Sequence, residues 1–315
     1  MPLLNFIKHR KFCYLPLTRE TSIQNLQIPV QTRGFSNLNK NNLFASYLAG
    51  LFEGDGHIVV PKTNIGTSQI CITFNIKDLP LAEHLKAIIG HGNIRIKAEE
   101  NACVLTITNK DGYLYIINIL NGYFRTPKVH KFYQLIDFLN TKYSLTLPKL
   151  DRDTSPLDYN SWLAGFIDAD GGFKIRNNQK TLTTKRRIAC SLVIEQRMLD
   201  PVTGESYNDI LLKIANLFQI NLLIKNQKTT ERNYFNITAS SPNSITIIKT
   251  YLDMYPLYSS KYLDYQNWRQ VVNLILENNH YEVDNTIIQN LKDTMNNKRT
   301  YFNWEHLNKL GTPKS

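Results

Sequence analysis

The chain has 315 residues, 42% of them hydrophobic, enough for one large or two medium domains with buried cores. Its 37 Lys and Arg outnumber 26 Asp and Glu, and the net charge of +11 points to a polyanionic partner without identifying it. No apolar run approaches the ~18 residues of a membrane span, and Cys13, Cys71, Cys103 and Cys190 lack zinc or disulfide spacing, which leaves a globular protein with reduced thiols.

Residues 1–40 form a first segment. Within its first 35 residues Lys8, Arg10, Lys11, Arg19 and Arg33 stand against one acid, Glu20, and Arg33-Gly34-Phe35-Ser36 has the arginine, aromatic, serine order at which mitochondrial presequences are processed. The segment reads either as a mitochondrial targeting sequence or as a disordered basic arm. Abundant Asn, Ile, Tyr and Lys along the chain also point to an AT-rich, organellar coding sequence.

An internal repeat organises the remainder. Ser46–Ile58, SYLAGLFEGDGHI, returns as SWLAGFIDADGGFKI at Ser161–Ile175, and the acids Asp55 and Asp170 lie 115 residues apart, about one small domain. Each copy predicts an amphipathic helix closed by a glycine, Gly56 or Gly171, just past its last turn. In the first half, His57–Lys62 and Ser68–Ile76 read as strands, Leu79–Ile89 as helix, Asn93–Lys97 and Cys103–Asn109 as strands, and Gly112–Leu120 and Lys131–Leu139 as helices. The second half repeats this αββαββα order. Its segments are Phe173–Arg176, Arg187–Gln196, Ile210–Phe218, Leu222–Lys228, Tyr234–Ser240, Ser244–Met254 and Lys261–Glu277. The halves span 41–149 and 158–279; a polar linker with a proline, LDRDTSPL at 150–157, joins them. The tail, 280–315, is expected to pack on the second half through Tyr301, Phe302 and Trp304.

Small residues recur four apart in both repeat helices, Gly50 with Gly54 and Gly165 with Ala169. Glycine inside a helix costs roughly 0.5–1 kcal/mol relative to alanine, so its presence predicts a tight helix–helix contact. Glu53, Asp55, Asp168 and Asp170 occupy the last turns, where the helix dipole already places negative charge. Helices packed side by side bring these carboxylates together, and an oxygen-only cluster completed by phosphate suits Mg²⁺. Such a site can activate water for phosphodiester hydrolysis, and two acids match two strands of a near-twofold duplex.

LAGLFEGDG (48–56) and LAGFIDADG (163–171) resemble the nine-residue signature of the LAGLIDADG homing endonucleases and maturases. The resemblance covers residues 42 to 310. It implies an α+β fold of two pseudo-symmetric halves, a saddle of antiparallel sheets over DNA with the signature helices at the interface. It implies a site-specific, Mg²⁺- or Mn²⁺-dependent endonuclease making a staggered double-strand break in a long, near-palindromic target, which promotes intron mobility. The same scaffold implies an alternative, a group I intron RNA maturase. The chain would act as a monomer with internal pseudo-twofold symmetry. The family places its metal-binding acid at the eighth signature position, Asp55 and Asp170, and gives the sixth, Glu53 and Asp168, supporting contacts. Family members keep a basic residue on the segment entering the last helix of each half, which aligns here on Lys128 and Lys261. Gln196 is a further polar candidate without a clear first-half counterpart.

Strands reading DNA alternate core and groove residues. Arg95 and Lys97 alternate with Ile94 and Ile96, and Lys174 and Arg176 with Phe173 and Ile175. Lys62, Lys180, Lys185, Arg186, Lys225, Lys228 and Arg232 are candidates to follow flanking phosphates.

Overall fold

The computed structural model describes residues 43–63, 66–179, 182, 186–227 and 232–311; the basic segment 1–40, Lys180, Lys185 and Lys228 lie outside them. The described residues start with α1 (Leu43–Asp55), apolar almost all round rather than amphipathic, whose residues from Ala45 to Glu53 are buried. Such a helix has no solvent face to spare and must be enclosed. It runs directly into β1 (Gly56–Val59), followed by β2 (Gln69–Asn75), α2 (Leu79–Ile89), β3 (Asn93–Lys97), β4 (Ala102–Ile107), α3 (Lys110–Leu120) and α4 (Val129–Tyr143). The second repeat helix, α5 (Trp162–Asp170), starts the same succession: β5 (Gly171–Asn178), β6 (Arg187–Arg197), α6 (Asn208–Leu217), β7 (Leu223–Gln227), β8 (Arg232–Ala239), α7 (Pro242–Met254) and α8 (Lys261–Leu276). Each half closes on two helices, all four marked by the sequence, so its order is αββαββαα, one helix more than the expected αββαββα. A tail helix, α9 (Asn285–Asp293), follows.

Local chemistry explains the element ends. In α2, Leu81, Ala82, Leu85, Ile88 and Ile89 share the buried stripe, Pro80 occupies the first turn, and Gly90 closes the helix at φ 74°. In α7, the Ser241 side chain accepts from the Ser244 amide ahead of Pro242. The strands form two four-stranded antiparallel sheets, ordered β1-β2-β4-β3 and β5-β6-β8-β7. Buried Phe173 and Ile175 alternate along β5 with exposed Lys174 and Arg176. Alternation is weaker on the edge strand β3, where Ile96 is exposed and Ile94 only partly buried.

α1 and α5 pack on each other through backbone. A Cβ on Gly50 would lie 1.9 Å from the Trp162 carbonyl oxygen, and one on Gly165 would lie 2.0 Å from that of Tyr47. Further along, a Cβ on Gly54 would meet the Ala169 Cβ at 2.1 Å. Ser46 Oγ and Ser161 Oγ, equivalent positions of the repeat, hydrogen-bond at 2.8 Å. The predicted tight contact is therefore the seam of the molecule.

Three details differ from expectation. Gly171 follows its helix at φ −83°, ψ 155°, extended backbone, so it is no left-handed cap. Glycine is needed there because a Cβ would lie 2.7 Å from the Ile167 side chain, and at Gly56 2.4 Å from Phe52. The 150–157 segment is pinned: Arg125 donates to Asp153 Oδ2 at 2.6 Å with both side chains largely buried. In the tail, Tyr301 is exposed, while Trp304 packs half-buried on the core, stacked between Phe302 and His306; the deepest packing falls to Ile288, Met295, Leu307, Leu310 and His306, which also stacks on Tyr262. The tail end also reaches the first half, where a Cβ on Gly311 would lie 3.7 Å from Ile88 Cδ1. The described cysteines, Cys71, Cys103 and Cys190, are buried free thiols.

Gly165→Ala places its Cβ against unyielding backbone and should destabilise the fold by about 3 kcal/mol or more in chemical denaturation. Gly172→Ala, with nothing within 4 Å, should change stability by less than about 0.5 kcal/mol. Equal effects would contradict the packing of the seam.

Candidate active site

The seam fixes where the helix tips end. Asp55 and Asp170 stand at the last residues of α1 and α5, partly buried, and a Cβ on Gly54 would lie 3.3 Å from Asp170 Oδ2. Both carboxylates line one cavity of about 480 Å³ with Lys128, Gln196 and Tyr207. Burial, reinforced by the facing Asp170, pushes the Asp55 carboxyl up to about 6, against the pull of Lys261 and Lys128. Burial likewise raises Asp170, while Lys128, Lys261 and Arg197 hold it down. Among the described residues, no three His, Cys, Asp or Glu side chains gather closely enough to hold a metal unaided. Two carboxylates pressed together by the backbone nonetheless fit a hard cation whose remaining ligands come from elsewhere.

Glu53 and Asp168, two residues back, face away from that cavity. Glu53 is fully buried and accepts from Thr126 N at 2.6 Å, Arg125 N at 2.9 Å and Trp162 Nε1 at 2.6 Å. Burial raises its carboxyl, and these donors pull it back. Asp168 accepts from Tyr258 N at 2.6 Å, Ser259 N at 3.2 Å and Tyr47 Oη at 2.7 Å. Each sixth-position acid thus ties the loop entering the last helix of its own half to an aromatic donor on the opposite repeat helix. Tyr47 and Trp162 hold the same place in the repeat. The sequence carried that signal in SYLAG and SWLAG, but an aromatic on an apolar helix reads as core.

Those loops deliver Lys128 and Lys261. Lys128 Nζ donates to the carbonyls of Gly54 at 2.7 Å and Gly56 at 2.9 Å, and Lys261 Nζ donates to Ala169 at 2.5 Å and Ile167 at 3.4 Å. Each lysine therefore caps the orphan carbonyls of the helix whose tip carries an aspartate. Burial lowers both ammonium groups, and the surrounding carboxylates raise them. Gln196 Nε2 donates to Asp170 Oδ2 at 2.8 Å. Its counterpart follows from register: Gly56 pairs with Ile72 as Gly171 pairs with Ile194, which sets Phe74 opposite Gln196. Phe74 is a core residue, so the two sides of the cavity are chemically unequal.

Contacts between the halves were not legible in sequence. Asp78, ahead of α2, accepts from Ser260 N at 2.6 Å, directly before Lys261. On the other side Glu205 holds Arg152 at 2.6 Å and His130 at 2.6 Å, and hydrogen bonding with Arg152 pulls its carboxyl down to about 2.

Of the candidate DNA contacts, Arg95 is exposed and Lys97 partly buried on the open face of the first sheet. Lys97 is paired with Glu100 at 3.1 Å. Lys174, Arg176, Lys225 and Arg232 are exposed on the open face of the second. Lys62 is exposed in the loop after β1, and Arg186 is partly buried with its charge near the tail residue Asp284. Lys185 and Lys228 lie outside the described residues.

The model of the LAGLIDADG endonuclease family matches residues 48–139 and again 163–272. The intron-encoded DNA endonuclease aI3 of Saccharomyces cerevisiae is 31% identical over 91% of this chain and 78% of its own length. A shorter match, 29% identical over 45% of the chain and 21% of the relative, is to the intron-encoded RNA maturase bI4 of the same yeast. The fold is shared with the LAGLIDADG homing endonuclease I-GzeII, solved in complex with its DNA target, at a TM-score of 0.59 and 17% identity over 81% of this chain and 99% of that one. Two family matches, each starting on a repeat helix and together spanning both sheets, place the chain in the LAGLIDADG endonuclease family.

Proposed function

We propose that the protein is a site-specific endonuclease, acting as a monomer, that makes a staggered double-strand break in a long, near-palindromic DNA target and so promotes intron mobility. The observation that carries this reading is the convergence of Asp55 and Asp170 at one seam, each beside a helix-capping lysine. The carboxylates of Asp55 and Asp170 would hold Mg²⁺ or Mn²⁺ together with DNA phosphate oxygens. When bound, such an ion supplies water activation and stabilisation of the leaving oxygen in phosphodiester hydrolysis. Lys128 and Lys261 keep a positive charge fixed where charge develops on the phosphates. Gln196 fixes one oxygen of Asp170 and leaves the other for a ligand. The basic bias of residues 1–35 and the intron-encoded relatives support a mitochondrial location. No helix among the described residues is long and apolar enough to cross a membrane.

A second reading, splicing of a group I intron RNA, is supported by the similarity to the yeast maturase. The two separate by mutation. Incubation with a random DNA library and Mg²⁺ should yield one class of cleaved sites, and Asp55→Asn or Asp170→Asn should reduce cutting to background while leaving DNA binding intact. A purified protein that cuts no library member would set the endonuclease reading aside.

Lys128→Met and Lys261→Met should each slow cleavage by about 10²–10³-fold with little loss of affinity, as removal of a charge-stabilising donor does. A change confined to affinity would argue for a purely DNA-binding lysine.

Because its folded value is about 6 against an ordinary 3.8, the Asp55 carboxyl contributes stability that is fully present below about pH 4 and is lost as pH rises through about 6. Metal-free Asp55→Asn protein should therefore be more stable than the parent at about pH 7.5, by up to about 3 kcal/mol. Millimolar Mg²⁺ should raise the parent's melting temperature more at about pH 7.5 than at about pH 5, where the carboxylate is protonated. Equal shifts at both pH values would dissociate metal binding from Asp55.

A further inference from the structure

One repeat generated both sheets, so strand register matches each open-face position of one to its counterpart in the other. With Asp55 equivalent to Asp170, Val59 corresponds to Lys174, Asn75 to Arg197, Lys97 to Lys225 and Arg95 to Leu223. The second sheet also extends further. β5 has 8 residues against 4 in β1, and β6 has 11 against 7 in β2. Those added rungs carry Arg176, Arg187 and their pairing partners on the open face. Arg232 starts β8 at the position of Glu100, the residue that neutralises Lys97 in the first half.

The outcome is a one-sided charge distribution. Among the described residues, the open face of the second sheet presents Lys174, Arg176, Arg187, Arg197, Lys225 and Arg232, all exposed, against one carboxylate, Glu195, 3.6 Å from Lys225. The first presents Arg95 and the already paired Lys97. From the tail, Lys292 joins Lys174, Arg176 and Arg187 around a groove of about 380 Å³ on the second side. Neutral residues, Val59, Cys71, Thr73, Val104 and Thr106, occupy most of the first face.

We propose that the protein grips its DNA unequally: the half-site under β5–β8 is the electrostatic anchor, held through phosphates and guanine edges by the arginine-rich face. The half-site under β1–β4 is read by contacts that contribute little to salt dependence. The inference rests on the DNA reading above and deepens it. Each cation that neutralises a phosphate steepens the fall of log affinity with log salt by about 0.9, and arginine forks match the O6 and N7 acceptors of guanine.

The test compares matched double variants of the full chain, Arg176→Ala with Arg187→Ala and Arg95→Ala with Lys97→Ala. Binding to a fluorescent random-sequence duplex is followed by anisotropy, with EDTA present, across a salt series. The first pair should lower the salt slope by about 1.8, and the second by less than about 0.9. Thermal melts of both establish that these exposed substitutions leave the fold intact. Equal slopes, or a larger loss in the Arg95/Lys97 pair, would overturn the inference while leaving a DNA-binding protein. Absence of duplex binding by the unsubstituted chain at low salt would overturn the DNA reading and the inference with it.

Discussion

Everything in this molecule is referred to the place where two helix backbones touch without side chains between them. Gly50 and Gly165 let the carbonyl of each helix enter the space a Cβ would fill on the other. The contact is reciprocal, so the helices cannot slide without opening a void on one side and a clash on the other. That fixes the height of both helix ends. Since each helix passes straight into the first strand of its sheet, the same contact also fixes where each sheet begins.

The cost of the arrangement is electrostatic. Two dipole ends and two carboxylates meet in a partly buried cavity, where burial, reinforced by the charge of Asp170, raises the Asp55 carboxyl. Buried lysines on the last carbonyls oppose this, and each is placed by a loop that a second acid, Glu53 or Asp168, holds in position. Acids two residues apart on one helix therefore do opposite work: one organises the protein, and the other faces the cavity. A local violation of good helix chemistry that survives in both copies is what a functional site looks like physically.

Duplication preserved the seam and its anchors, while positions facing the substrate side diverged. Phe74 stands where Gln196 contacts Asp170, and neutral residues of the first sheet stand where the second carries cations. The framework must stay paired because each half completes the other; the surfaces are free to differ because a DNA target need not be symmetric in sequence.

The sequence by itself determined the repeat, the helix seam and the two acids at the helix tips, because these rest on local patterns present twice; Lys128 and Lys261 were suggested only by the family resemblance. Period, glycine spacing and end-of-helix acids are properties of a few neighbouring residues. It did not disclose the roles of Tyr47 and Trp162, the pinning of the linker through Arg125 and Asp153, the latches of Asp78 and Glu205, or the burial of the tail around His306 rather than Tyr301. Nor did it separate Gly171 as a packing residue from Gly171 as a cap. Only the tertiary structure decided these, since most depend on which atoms meet between residues well separated in the chain, from 28 positions for Arg125 and Asp153 to 182 for Ser260 and Asp78. Such meetings are set by the geometry of close packing, and a single chain read in order carries no mark of them.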